Sequence, residues 1–135
     1  MKLTAIICIL LYVATWGYSA TVSKSETVRK GAIIAAIIQV ESNGNPRAHN
    51  KSEDAVGILQ ITPIMVAEVN RIAGTRFKLS DRWDAHCSLL MFAHYTNHYT
   101  PCWTPELVAR RWNGGPRGDK KQSTLKYWEK VEKKL

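Results

Sequence analysis

The stretch AIIAAIIQVESNGNP, residues 32–46, decides how the rest of the chain is interpreted. Ile34, Ile37 and Ile38 recur at i, i+3 and i+4, the spacing of the buried face of an amphipathic helix. The next position on that face, i+7, is Glu41, and the Asn-Gly-Asn-Pro that follows ends the helix. A glutamate at such a position is typically either a structural residue with a buried partner or a catalytic acid.

Two physical effects are expected to raise the pKa of Glu41. Its position on an apolar face removes water from the charged form, and the negative end of the helix dipole repels an anion. A carboxyl group with a raised pKa can serve as a general acid. Periodicity alone also allows a partly buried glutamate that is held by an arginine or a backbone amide.

The remaining pattern is helical and indicates one all-α domain. The chain has 135 residues, 45% of them hydrophobic, which suffices for one domain with a core. A polar stretch at 47–57 predicts a loop or a short irregular hairpin. Capping serines and threonines, prolines at the first helical position and terminal glycines set the other boundaries. The predicted helices span 23–42, 62–74, 81–99, 104–115 and 123–135.

The first 20 residues differ in kind from the rest. They combine an early lysine, an apolar stretch and small residues, a pattern that predicts a secretory signal peptide at 1–20 and a mature domain at 21–135. Export leaves Cys87 and Cys102, and an even pair in an exported chain favours a disulfide worth about 3 kcal/mol in the chain-entropy model. Two reduced, buried thiols are the alternative.

Two later strings carry polar groups suited to a sugar. In AVGILQITP, residues 55–63, Gly57 would let backbone approach a ligand closely, and the Gln60 amide offers both a donor and an acceptor. In ARRWNGGP, residues 109–116, Asn113 stands at a helix end before two glycines. The plainer interpretation of the second string is a glycine C-cap followed by proline.

Together these strings resemble the soluble lytic transglycosylase family, whose catalytic domain has a goose-lysozyme-like α fold. The Glu-Ser motif with its following Pro and Ala appears at 41–48, the Gly-x-x-Gln-Ile-x-Pro type at 57–63 and the Asn-Gly-Gly-Pro motif at 113–116. A late Thr-x-x-Tyr is matched by Thr124 and Tyr127. The likeness covers about residues 26–132 in family order, with Trp in place of the usual Tyr before the Asn.

The resemblance implies cleavage of the β-1,4 bond between N-acetylmuramic acid and N-acetylglucosamine in peptidoglycan. Glu41 would act first as acid and then as base, and the product would be a 1,6-anhydromuramic end. Ser42 and Gln60 would help to orient Glu41 and the substrate acetamido group. Asn113 and Tyr127 would reach the same site, and a Tyr127 hydrogen bond to Glu41 would oppose the rise of the Glu41 pKa by favouring the anion.

Two other functions stay open at this point. A muramidase on the same fold would need a second carboxylate facing Glu41, and Glu53 and Asp54 are the candidates, although we interpret both as solvated loop acids. A glycan-binding module without chemistry is the other alternative.

Cofactors, metals and partners follow from weaker signals. We expect no cofactor and no metal, because His94 and His98 lack a third ligand in the pattern. The net charge of +8 suits an anionic polymer, and export argues against nucleic acid. The expected protein is a monomer in the periplasm or cell envelope that acts on peptidoglycan strands, alone or with a secretion, conjugation or phage assembly.

Overall fold

The computed structural model describes residues 24–135, and these residues form a small helical domain with one hairpin. Its α-helices and strands are α1 Lys24–Ser42, β1 His49–Asn50, β2 Ala55–Val56, α2 Pro63–Ala73, α3 Ala85–Tyr99, α4 Pro105–Gly114 and α5 Leu125–Glu132. Three 3-10 helices lie at Leu79–Trp83, Gly118–Lys120 and Gln122–Thr124. The predicted all-α domain with a single irregular polar segment is confirmed.

Helix α1 is the longest element and brings Glu41 to the interior. Its most buried side chains are Ile33, Ala36 and Ile37, whereas the predicted face of Ile34, Ile37 and Ile38 is turned slightly from the core. Ile33, Ile37 and Glu41 follow one another at i, i+4 and i+8, so the carboxylate continues the buried row. The helix ends because the next two residues adopt left-handed backbone angles.

The polar stretch after α1 is a two-stranded antiparallel hairpin. His49 pairs with Val56 and Asn50 pairs with Ala55, and an isolated bridge joins Val56 to Ile61. The tip of the hairpin is exposed, while Val56 and Ile61 are buried. The prediction of a loop or short hairpin over 47–57 is therefore confirmed, and the hairpin is fixed to the core along its returning arm.

Helix α2 begins and ends as its sequence predicts. The Thr62 hydroxyl accepts a hydrogen bond from the Met65 amide, and Pro63 occupies the first turn. Gly74 closes the helix at a left-handed φ of 64°. These signals act over a few residues, so periodicity and caps were enough to predict the bounds of α2.

Helix α3 begins later than the predicted residue 81. Asp81 accepts a hydrogen bond from the Lys78 amide and belongs to the preceding 3-10 helix. The α3 N-cap is Asp84, whose carboxylate accepts from the Cys87 amide at 2.7 Å. Asp84 therefore caps α3, whereas Asp81 lies inside the 3-10 helix and bonds back to its N-cap residue, Lys78.

The last helix is shorter than predicted at both ends. It spans Leu125–Glu132, and a 3-10 turn occupies the residues before it. The buried hydroxyl of Thr124 donates to the Gly118 carbonyl at 2.7 Å. The same hydroxyl accepts a hydrogen bond from Arg110 Nε of α4 at 3.0 Å, which holds this turn against α4. The position of α5 is therefore set by packing more than by its own sequence.

A single core lies between the helices. Helix α1 packs against α4 and α5, and α2 packs against α3. The Trp112 ring contacts Phe92 and Tyr95 at centroid distances of 4.8 and 5.7 Å, which ties α4 to α3. The fully buried large side chains are Phe92, Ile33, Ile37, Leu59, Ile61, Met91, Val56, Val69, Val108 and Val131.

The predicted disulfide is wrong, because Cys87 and Cys102 are both free thiols. Cys87 lies in the first turn of α3, and Cys102 lies beyond the last residue of that helix, Tyr99. The helix from Cys87 to Tyr99 rises about 18 Å at 1.5 Å per residue, whereas a disulfide needs Cα atoms within about 7 Å. A continuous helix between the two cysteines keeps them apart.

The predicted signal peptide at 1–20 and the Ser23 N-cap of the first helix lie outside the described residues. Within residues 24–135, no helix is both long enough and apolar enough to cross a membrane.

Candidate active site

Glu41 forms part of the wall of a polar cavity of about 320 Å³. The cavity lies between the end of α1, the hairpin, the start of α2 and the end of α4. Its lining residues are Glu41, Asn50, Glu53, Ala55, Gln60, Thr62, Met65, Trp112, Asn113 and Gly115. Groups from four parts of the chain thus converge on one carboxyl group.

The environment of Glu41 raises its pKa from 4.5 to about 7. Burial is the largest cause, because the charged form loses hydration against the apolar core. The negative charge of Glu53 raises the pKa further, while hydrogen bonds from Tyr127 and Trp112 lower it. A carboxyl group with a pKa near neutrality can both give and take a proton at pH 7.

Tyr127 and Trp112 hold this carboxyl group from two later helices. The Tyr127 hydroxyl of α5 donates to Glu41 Oε1 at 2.6 Å, a short charge-assisted distance. Burial and the adjacent carboxylate raise the pKa of Tyr127 well above its ordinary value, so it stays a donor. The hydrogen bond expected from the sequence is therefore present, and the predicted opposition to the pKa rise is also present.

Gln60 and Asn113 both line the cavity. Gln60 adopts a left-handed φ of 49°, and its Nε2 donates to the carbonyls of Ala48 at 3.2 Å and Gly57 at 3.0 Å. Both bonds use the amide nitrogen, and the side-chain oxygen is an acceptor by its chemistry. Asn113 is exposed at the end of α4 and offers a second amide.

Ser42 and Gly57 do not line the cavity. The Ser42 hydroxyl donates to the Ile58 carbonyl at 2.8 Å, so it joins the end of α1 to the returning arm of the hairpin. Gly57 has a φ of 79° and is buried, and a Cβ there would lie 2.1 Å from the Arg82 carbonyl oxygen. The close backbone approach expected at Gly57 is thus made to protein backbone, and both residues shape the site from behind.

The two loop acids have separate surroundings. Glu53 is exposed, lines the cavity and acts on the pKa of Glu41 through its charge. Asp54 faces away, toward Arg82 at 3.4 Å and His49 at 3.5 Å. The interpretation of both as solvated loop acids is incomplete, because one faces the site and the other is paired with a buried arginine.

An apolar groove of about 440 Å³ continues the cavity. The two share Thr62, Met65 and Gly115 as lining residues, and the groove extends along α2 to Glu68 and Arg71. Glu68 accepts hydrogen bonds from Arg71 and from the Tyr99 hydroxyl. The site is therefore an elongated cleft with a polar centre and an apolar arm.

Several lining residues were not anticipated from the sequence. Thr62 was expected only as a helix cap, Gly115 only as part of the Asn-Gly-Gly-Pro motif, and Met65 carried no distinct signal. The contact between the hairpin and Arg82 was also missed, because it joins residues far apart in the chain. In the part of the chain that the structure describes, no cluster of three His, Cys, Asp or Glu side chains could hold a metal ion.

A family comparison and a solved structure agree with this architecture. The sequence profile of the transglycosylase SLT domain matches residues 20–134. No match was found among curated proteins. A chain of the structure described as Aeromonas hydrophila PliI in complex with Meretrix lusoria lysozyme is similar, with a TM-score of 0.65 and 26% identity. The similarity covers 76% of this chain and 87% of that chain.

The family match extends over nearly all the described residues and includes every group that meets in the cavity. The chain therefore belongs to the transglycosylase SLT domain family, whose members are peptidoglycan-cleaving enzymes of the lytic transglycosylase and lysozyme-like type.

Proposed function

We propose that this protein is an exported lytic transglycosylase that cleaves the β-1,4 bond between N-acetylmuramic acid and N-acetylglucosamine. The observation that carries the proposal is the half-buried Glu41 carboxyl group, hydrogen-bonded to Tyr127 in the wall of an elongated cleft. Family membership supports the substrate class. Export to the periplasm or cell envelope rests on the signal-like sequence at 1–20.

Glu41 would serve as the general acid and then as the general base. The protonated carboxyl group gives its proton to the glycosidic oxygen as the C1–O bond breaks, and the substrate acetamido oxygen stabilises C1. The C6 hydroxyl oxygen then attacks C1, and its proton passes to the Glu41 carboxylate. The ring closes to a 1,6-anhydro sugar, no water is consumed, and Glu41 is protonated again.

The cleft supplies the binding groups for this reaction. The Gln60 side-chain oxygen and the Asn113 amide would bind the hydroxyl and acetamido groups of a sugar, and the position of both residues in the cavity wall supports this role. Tyr127 would stabilise the carboxylate formed after the first proton transfer. The apolar groove beyond Met65 would hold the neighbouring part of the glycan strand.

Substitution of the acid tests the assignment. Glu41→Gln removes the titratable proton but retains the size of the side chain, so peptidoglycan cleavage should fall by at least about 100-fold. Glu106→Gln is the matched control, because Glu106 is an exposed glutamate on α4 that pairs with Arg110. Turbidity loss of a purified peptidoglycan suspension measures both, and substantial activity in Glu41→Gln would overturn the proposal.

A muramidase is the second candidate, and Glu53 is the observation that favours it. A carboxylate in the same cavity as Glu41 could activate a water at C1, as in inverting hydrolysis. Mass spectrometry of the products separates the two reactions, since a transglycosylase gives anhydro ends and a muramidase gives reducing ends. In the muramidase case Glu53→Gln should abolish turnover, whereas a transglycosylase should still give anhydro products in that variant.

The same product analysis tests the remaining alternative. A protein that binds the glycan and releases neither product would be a binding module.

A further inference from the structure

Arg82 is a buried cation that the proposed reaction does not use. Only 5% of its surface is exposed, although Leu79 and Trp83 of the same 3-10 helix are exposed. A buried guanidinium is costly unless its donors are satisfied. The partners of Arg82 therefore indicate what its burial achieves.

The guanidinium reaches the chain on both sides of β2, the returning arm of the hairpin. Its Nη1 donates to the backbone carbonyls of Asp54 at 2.6 Å and Ile61 at 3.2 Å. Its Nη2 lies 3.4 Å from the Asp54 carboxylate, and its Nε donates to the Leu79 carbonyl at 2.9 Å. One side chain thus fixes both ends of the returning arm to the same point of the core.

The two anchored residues are direct neighbours of the cavity wall. Asp54 lies between Glu53 and Ala55, and Ile61 lies between Gln60 and Thr62. All four neighbours line the cavity that contains Glu41. A shift at either end of the returning arm would therefore move a cavity-lining group.

The backbone of Arg82 is fixed from the other side. Its carbonyl accepts a hydrogen bond from the buried Ser88 hydroxyl of α3 at 3.0 Å. The same carbonyl packs against Gly57, where a Cβ would clash with it. The residue after Arg82 adds a contact to β1: the rings of Trp83 and His49 meet edge to face, with centroids 5.7 Å apart.

We propose that Arg82 is a positioning residue for glycan cleavage, because it holds the hairpin so that Glu53 and Gln60 face Glu41. The inference rests on the proposed function, in that it takes Glu41 as the reacting acid. Arg82 acts through the hairpin and has no contact with the substrate.

A titration of Glu41 tests this role without requiring activity. The charged and titratable groups that face Glu41 are Tyr127 from α5 and Glu53 from the hairpin, with the Trp112 indole from α4. If Arg82→Met releases the hairpin, Glu41 loses the charge of Glu53 and part of its burial, so its pKa falls. Loss of a positive charge would by itself raise the pKa of a nearby carboxyl group, so a fall reports displacement.

The measurement is the NMR titration of the Glu41 side-chain carboxyl carbon. Arg82→Met and Glu53→Gln should both lower the pKa of Glu41. Arg111→Met is the matched control, because Arg111 is also partly buried and binds Asp119 and the Tyr99 carbonyl away from the hairpin. Arg111→Met should lower the thermal stability of the protein and leave the pKa of Glu41 unchanged.

Arg82→Lys keeps the proposal testable if Arg82→Met fails to fold. Lysine retains the charge but cannot span four acceptors with a rigid fork. Cleavage by this variant should fall by roughly 10- to 100-fold, with the high-pH limit of activity moved to lower pH. A Glu41 titration that stays at the wild-type position in the Arg82 variant overturns the proposal. An inactive wild-type protein with the expected titration shifts would refute the proposed function and leave the anchor supported.

Discussion

Glu41 and Glu68 each accept a hydrogen bond from a tyrosine in the same cleft, yet their pKa values move in opposite directions. The pKa of Glu41 rises to about 7, and that of Glu68 falls to about 2. Tyr127 is the donor to Glu41, and Tyr99 is the donor to Glu68. A tyrosine partner therefore does not decide the protonation state.

The difference comes from what surrounds each pair. Arg71 binds both oxygens of Glu68 at 2.8 and 2.6 Å, and this contact is the largest cause of its lowered pKa. Glu41 has no arginine partner among the described residues, and burial outweighs its hydrogen bonds. One carboxylate of the cleft is thus kept charged, and the other is available for proton transfer.

The largest expected effect concerns the pH dependence of cleavage. In the proposed reaction Glu41 must be protonated at the start, so activity should fall about tenfold per pH unit as pH rises above about 7. Glu68 stays ionised throughout this range, so its titration should not change the rate of cleavage there. Initial rates on purified peptidoglycan between pH 5 and pH 9 measure the profile. A rate that stays constant up to pH 9 would contradict the assignment of Glu41 as acid.

Stability should respond oppositely to substitution of the two glutamates. The folded-state pKa of Glu41 is raised, so the folded protein binds the proton more tightly and loses stability as pH rises from about 4.5 to 7. At 1.4 kcal/mol per pKa unit, the ionised Glu41 costs up to about 3 kcal/mol at pH 8. Glu41→Gln should therefore unfold at higher denaturant concentration than the wild type at pH 8, and the gain should shrink toward pH 4.

The matching variant is Glu68→Gln. The folded-state pKa of Glu68 is lowered, so its ionised form adds stability above its unfolded pKa, and this stability is lost as pH falls toward 2. Glu68→Gln should consequently be less stable than the wild type at pH 8. Urea unfolding at pH 8 and pH 4 measures both variants. If both variants were more stable than the wild type at pH 8, or both less stable, the opposite pKa shifts of Glu41 and Glu68 would be contradicted.

The smallest expected effect separates the two tyrosines. Tyr127→Phe removes a hydrogen bond that favours the Glu41 anion, so the high-pH limb of activity should move to higher pH. The rate at pH 7 should fall roughly 10-fold because the carboxyl group loses its orientation. Tyr99→Phe should leave the limb in place, since Tyr99 contacts Glu68. Limbs that shift equally in both variants would refute a specific role for Tyr127.

Much of this arrangement could be predicted from local sequence. The Thr62 cap, the following Pro63 and the terminal Gly74 set the bounds of α2, because capping depends on residues a few positions apart. Glu41 stands in α1 where the apolar periodicity predicts an aliphatic residue. This local pattern made it a candidate acid. The false disulfide shows the limit of pairing cysteines by count, since the helix between Cys87 and Cys102 was itself predicted.

Other features depend on contacts between distant parts of the chain. Nothing near Arg82 in the sequence indicates that its guanidinium reaches Asp54, which lies 28 positions earlier. The direction of Glu53 toward the cavity and of Asp54 away from it follows from the same anchor. The substrate-binding roles of Ser42 and Gly57 stay predictions, and their contacts with the Ile58 and Arg82 carbonyls were not predicted from the sequence.

By itself the sequence determined the helical fold, the position of the acid at the end of the first helix and the family to which the chain belongs. Each depends on periodicity, caps or short motifs, which act over a few residues. Only the tertiary structure decided that Glu53 lines the cavity of Glu41 while Asp54 pairs with Arg82, and that burial of Glu41 outweighs its hydrogen bond from Tyr127. Burial and through-space charge set the pKa of a carboxyl group, and both arise only when distant segments pack together.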